Sequence, residues 1–211
     1  MIADLAVRSQ ANEIVMPDFM GECDTTLTAG TEFTTFLDAY SGPDRPFTLA
    51  GVVQGKGFAE WMKCVAAYVH WPVFVDVQTI MFPRCMNRSE HEHTDRTQFM
   101  KGIFKSHLWQ EYMKLKPNLK VHCLGASPWV REVETIASFP EVRSMDTSLP
   151  VALGLDGIDI KRDIYCGRQT DFFDINPANI PPGLLEIVND NCRVFREWAR
   201  DTSETASPSE V

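Results

Sequence analysis

The sequence predicts an α/β fold in which short parallel strands alternate with helices. Three observations point there. Short runs rich in β-branched residues alternate with longer stretches of helical periodicity. Most of those runs are apolar on both faces, as strands covered by helices must be. The chain is 211 residues long, 44% hydrophobic and 23% charged, so it can bury a sizeable core without disulfide or metal staples.

The same composition excludes wholesale disorder, collagen and coiled coil. Polar residues interrupt every apolar stretch well before ~18 positions, so no membrane partner is expected. The opening MIADLAVRSQ lacks a basic region followed by a long apolar run. It therefore predicts no signal peptide and a cytoplasmic setting. Six scattered cysteines without a Cys-x-x-Cys pair are expected to stay reduced.

The strands are expected at 13–17 (EIVMP), 48–54 (TLAGVVQ), 73–81 (VFVDVQTIM), 120–124 (KVHCL) and 142–145 (VRSM). A helix over 57–70 places Phe58, Trp61, Met62, Val65 and Val69 on one face. A second, over 95–115, aligns Phe99, Ile103, Leu108 and Tyr112, with Thr94 as its cap. Ser127 caps a third, with Pro128 at its first position. The last, over 182–200, carries Leu184, Leu185, Val188, Cys192, Phe195 and Trp198 on one stripe. Residues 1–200 read as a single domain and 201–211 as a disordered acidic tail.

Five βα units fall between residue 13 and about residue 140, whereas a closed eight-stranded barrel usually takes ~250 residues. The chain therefore reads as the C-terminal five-eighths of a barrel or as a complete open α/β sheet. Either arrangement puts function at the carboxyl ends of the strands. Those ends carry Asp18, Gln54 followed by Gly55-Lys56-Gly57, Arg84, Leu124-Gly125, and Asp146-Thr147-Ser148. Each alone has an ordinary reading as a cap or turn. Together they bring two carboxylates, a carboxamide, glycines and an arginine to one rim.

Strand ends in this order, with GVVQG at 51–55 and DTSLP at 146–150, resemble the tRNA-guanine transglycosylase superfamily. The closer likeness is to its shorter phage and bacterial branch that modifies DNA with 7-deazaguanines, over about residues 11–150. The resemblance implies a partial (β/α)8 barrel that exchanges guanine for a 7-deazaguanine base in nucleic acid. It implies Asp146 as the nucleophile, forming a covalent glycosyl-enzyme. Asp18 would accept from the ring N–H and amine of a guanine edge, and Gln54 with Gly55 would meet the base carbonyl. Leu124 and Gly125 would cover one face of the base, with Gly125 allowing close backbone approach. Thr147 and Ser148 would hold the Asp146 carboxylate aimed. Arg143, by strand alternation, falls on the other face from Asp146.

In the same family a second aspartate and a base-stacking aromatic lie on early strands, and nothing before Glu13 offers them. This predicts self-association or an N-terminal partner that completes the barrel. The tRNA-acting members carry a cysteine-rich zinc site after the nucleophile. Here only Cys166 and Cys192 follow Asp146, so no metal and no cofactor are expected, and DNA is favoured over tRNA as substrate. Two rivals stand beside this reading: a non-catalytic base-binding remnant, and a barrel enzyme using paired aspartates on a small metabolite.

The remaining features read as structural. Twenty basic and 29 acidic residues give a net charge of −9, which excludes a generic nucleic-acid coat. The acid is concentrated at residues 1–45, with two basic and eight acidic residues. Segment 101–120 holds five lysines (Lys101, Lys105, Lys114, Lys116, Lys120) and one glutamate, a solvated helix face or a phosphate contact. His91 and His93 sit in a polar loop. Met16, Met20, Met81, Met100 and Met113 read as core.

Overall fold

A computed structural model describes residues 11–41, 45–84, 86, 96–125, 130–161 and 179–204. The strands are β1 (Glu13–Val15), β2 (Thr48–Val52), β3 (Val77–Pro83), β4 (Lys120–Leu124) and β5 (Val142–Met145). They form an all-parallel sheet in sequence order and alternate with helices. The helices are α1 (Cys23–Ser41), α2 (Phe58–His70), α3 (Arg96–Phe104), α4 (His107–Leu115), α5 (Val130–Ala137), α6 (Leu149–Leu155) and α7 (Pro182–Glu204). The chain divides into two compact units, Met1–Leu124 and Gly125–Val211.

In the first unit β1 runs beside β2 with Ile14 opposite Leu49, and β2 beside β3 with Gly51 opposite Ile80. β3 runs beside β4 with Ile80 opposite Val121. Leu49, Ala50, Val52, Val77, Ile80, Phe82, Val121 and Cys123 are all buried, which explains the unbroken apolar runs. Helix α2 packs on β2 through one close approach. A Cβ at Gly51 would lie 2.7 Å from the Tyr68 ring, so only glycine admits the ring. The Tyr68 hydroxyl donates to the Val52 carbonyl at 3.0 Å. Around Phe99, the rings of Phe58, Trp61 and Phe82 meet edge to face at 5.3, 5.4 and 5.7 Å.

Helix α1 has no counterpart among the expected elements. Its β-branched threonines lower helix propensity and mask the periodicity. The fold recruits their hydroxyls instead. Thr31, Thr34 and Thr35 donate to the carbonyls of Leu27, Gly30 and Thr31, one turn back. Leu27 and Leu37 fill the core beneath.

The strand expected over 73–81 begins later, at Val77. Pro72 opens a 3-10 turn over Pro72–Phe74, which buries Phe74 and leaves Val75 exposed. The helix expected over 95–115 is two helices. The Ser106 hydroxyl donates to Ile103 O and accepts the Trp109 N–H, ending α3 and capping α4. The break rotates the apolar stripe, so Trp109 and Tyr112 are buried and Leu108 is not. Phe58 and Leu185 are likewise exposed rather than core. Met16, Met81 and Met100 are buried as expected, but Met20 is 77% exposed. The expected cap residues Thr94, Ser127 and Pro128, and the pair His91 and His93, lie outside the described residues.

Two cations, Arg96 buried and Lys116 half-buried, sit against backbone carbonyls. Arg96, with no exposed surface, donates to Phe82 O at 2.9 Å and Leu124 O at 2.7 Å, joining the ends of β3 and β4. Lys116 corrects the reading of its segment as a solvated face or phosphate contact. Its ammonium donates to Tyr68 O, Phe74 O and Val77 O at 2.8, 2.6 and 3.0 Å. It thereby closes the C-terminal end of α2 and the turn after it. Burial pulls this lysine down to about 8, against the effect of nearby Asp76.

In the second unit α5 and α6 both pack against α7. Asn191 of α7 is buried. It accepts the Ile160 N–H at 2.9 Å and donates to Ile158 O and Pro150 O at 2.8 and 3.2 Å. Leu153, Ile160 and Val194 form the core around it. Helix α7 reaches Glu204, four residues into the segment read as a tail. No helix among the described residues is long and apolar enough to cross a membrane.

Two outcomes follow. Gly51→Ala should lower stability by about 1–3 kcal/mol, read as a lower urea midpoint, because the Tyr68 ring must move. Lys116 titrates at about 8 in the folded chain and at its ordinary 10.5 when unfolded. The unfolded chain therefore binds more protons between those values, and this group's contribution to stability rises as pH climbs from about 8 to 10.5. Lys116→Met should remove that rise, measured as the wild-type minus variant difference in urea midpoint at the two ends of the window.

Candidate functional site

Two of the residues singled out in the sequence meet directly in the first unit. Asp18 lies in the extended loop after β1, and Gln54 lies two residues past β2. The Gln54 Nε2 donates to Asp18 Oδ2 at 2.6 Å, and its Oε1 accepts the Gly21 N–H at 3.0 Å. The second contact fixes the amide: oxygen toward Gly21, nitrogen toward the carboxylate. Gln54 is 3% exposed, whereas Asp18 is open to solvent. A held carboxylate therefore faces outward on a buried carboxamide. Asp18 is not a cap of α1, which begins only at Cys23.

Gly55 turns the chain away from Gln54. Its φ is +149°, and a Cβ there would meet the Glu60 Cβ at 2.5 Å. Its carbonyl accepts the Trp61 Nε1–H at 3.0 Å, and Glu60 accepts the Lys56 N–H at 2.9 Å. The Gln54 loop is thus locked to the first turn of α2. From below, the Cys64 thiol donates to Gln54 O at 3.2 Å and stands 3.2 Å from the Cys23 sulfur. Burial raises the pKa of both thiols, so they stay neutral supports. Leu124 ends β4, half-buried against Ala50, Val52 and Met81.

In the second unit the Gly125 N–H donates to Asp146 Oδ1. Asp146 follows β5 directly and is exposed. Thr147, expected to aim this carboxylate, accepts the Leu149 N–H at 3.1 Å at the start of α6. A cavity of about 590 Å³ lies beside β5, lined among others by Arg143, Ser144, Asp146 and Thr147. The structure thus groups the expected residues as Asp18 with Gln54 in one unit and Gly125 with Asp146 in the other.

Sequence reasoning missed Gly21, Cys23 and Cys64, and on α7 Arg196. Gly21 was legible in part, because it stands in the turn directly after Asp18. The thiols gave no signal: their residues are 41 apart in sequence and meet only when α1 and α2 pack. Among the described residues no cluster of three or more His, Cys, Asp or Glu gathers as a metal site.

Gln54→Ala should strip the Gly21 N–H of its acceptor and Asp18 of its donor. A loss of about 1–3 kcal/mol in denaturant unfolding is expected. Asp18→Asn, at an exposed position, should change the same midpoint by less than about 0.5 kcal/mol. The chain matches no protein-family model, no curated protein and no solved structure.

Proposed function

We propose that this chain is a nucleobase transglycosylase that exchanges guanine for a 7-deazaguanine in nucleic acid, DNA rather than tRNA. The observation that supports this best is the Asp18–Gln54 pair. A guanine edge presents a ring N–H beside an amine, and the exposed Asp18 carboxylate, steadied by the buried Gln54 amide, offers acceptors for both. The buried amide costs little to hold in place, because Gly21 and Asp18 already fix both of its ends. Discrimination against adenine follows, since its edge would leave the carboxylate facing an acceptor.

In this reading Asp146 is the nucleophile. Its carboxylate attacks the anomeric carbon as guanine departs with the bonding pair, giving a glycosyl ester. The incoming 7-deazaguanine gives up its ring N–H proton, matching the one the departed guanine anion takes up, and displaces Asp146 from the opposite side, so the two inversions retain configuration. The Gly125 N–H orients the carboxylate on one oxygen. The target base must be extruded or already unpaired, which costs a few kcal/mol in a duplex. A partial (β/α)8 barrel is the architecture proposed with this chemistry. β1 to β4 follow one another without a reversal of order, as in a barrel wall, whereas a doubly wound sheet turns back at a switch point. A cytoplasmic setting belongs to the same proposal.

Asp146→Asn should bind guanine as the wild type does yet form no covalent adduct. The assay is a denaturing gel of enzyme, oligonucleotide and competing 7-deazaguanine. Asp18→Ala should weaken guanine binding in calorimetry by about 1–3 kcal/mol, because the base's donors lose their acceptor. An adduct persisting in Asp146→Asn would move the nucleophile elsewhere. Unchanged guanine affinity in Asp18→Ala would remove the base-reading role.

A further inference from the structure

The cavity of about 590 Å³ in the second unit is large enough for a nucleotide-sized ligand. Arg143 of β5, Asp146 just past it, and Phe195 and Arg196 of α7 all line it. Helix α7 contains a built-in contrast. Arg193, on the same helix, is neutralised by Glu197 at 2.8 Å and Asp190 at 3.4 Å. Arg196 has no ion pair or hydrogen bond among the described residues and is exposed. Two guanidinium groups brought by separate elements to one cavity, in a chain of net charge −9, mark a place for an anion.

We infer that this cavity binds a sugar–phosphate unit of a nucleic-acid strand, with Arg143 and Arg196 as its phosphate contacts. Guanidinium matches phosphate because its fork of N–H donors meets two oxygens at once. The carboxylate of Asp146 repels phosphate, so the neutral sugar belongs beside it and the phosphate beside Arg196. The strand as the source of the phosphate rests on the transglycosylase reading; the phosphate chemistry rests on the two arginines. A free nucleotide offers the same chemistry, and the test separates the two.

The measurement is fluorescence anisotropy of a labelled single-stranded oligodeoxynucleotide with the full chain, across a salt series. Arg196→Gln should weaken binding about tenfold and reduce the salt slope by about 1, as for a single phosphate contact. Arg193→Gln, on the same helix but already ion-paired, should bind as the wild type does. Equal weakening in both variants would reveal only a diffuse field and overturn the inference, as would no weakening in Arg196→Gln. Deoxyguanosine monophosphate binding with Arg196 dependence, while the strand does not bind, would overturn the strand as ligand. Guanine calorimetry on the same preparations separates the two readings. Arg196-dependent strand binding without any guanine binding sinks the transglycosylase proposal and keeps the cavity. Asp18-dependent guanine binding with no effect of Arg196→Gln does the reverse.

Discussion

The close approach of Tyr68 to Gly51 organises the first unit. A helix can lie this near a strand only where the strand lacks a side chain, and the ring then fills the space a Cβ would take. The hydroxyl cannot be buried unpaired, and Val52 O receives it. With Tyr68 set, α2 has no freedom to slide along β2. Cys64, one turn earlier, comes under the Gln54 carbonyl, and Trp61, one turn earlier again, reaches Gly55 O. The candidate base-reading loop thus inherits its position from a packing contact on the other side of the strand.

Buried charge in this acidic chain follows a common pattern. Arg96 and Lys116 both donate to backbone carbonyls, at the ends of β3 and β4 and at the end of α2. Carbonyls at element ends have no partner within their own element, so a cation there solves two problems at once. Arg45 follows the more familiar route, with one nitrogen shared between Asp38 and Asp76. This pattern makes the five-lysine segment heterogeneous. Lys114 pairs with Glu111, Lys116 is structural, and the other three are solvated.

The Asp18–Gln54 pair shows how few contacts orient a carboxamide. A glutamine alone rotates and presents either end of its amide. Here a backbone N–H selects the oxygen and a carboxylate selects the nitrogen. Neutral thiols beneath add bulk and a hydrogen bond without adding charge, which keeps the carboxylate the only acid of the pair.

Strand composition by itself determined the alternation of strands and helices, and the existence of all five strands was legible, most plainly for β2 and β3, whose runs are apolar on both faces. The placement of Asp18, Gln54, Gly125 and Asp146 just past strand ends was legible too, because a strand's carboxyl end is adjacent to them in sequence. Tertiary structure decided what local pattern cannot encode. Helix α1 was hidden because threonine hydroxyls find carbonyls one turn back only after the helix exists. The division of 95–115 into α3 and α4 turned on one serine whose hydroxyl serves both helix ends. The burial of Lys116 depended on carbonyls some 40 residues away in sequence. The cavity beside β5 brought Arg196 toward Asp146 from a helix 50 residues further on. Short-range pattern reports propensity and burial period, whereas partners for a buried or clustered charge are set by which distant backbones the fold brings within hydrogen-bond reach.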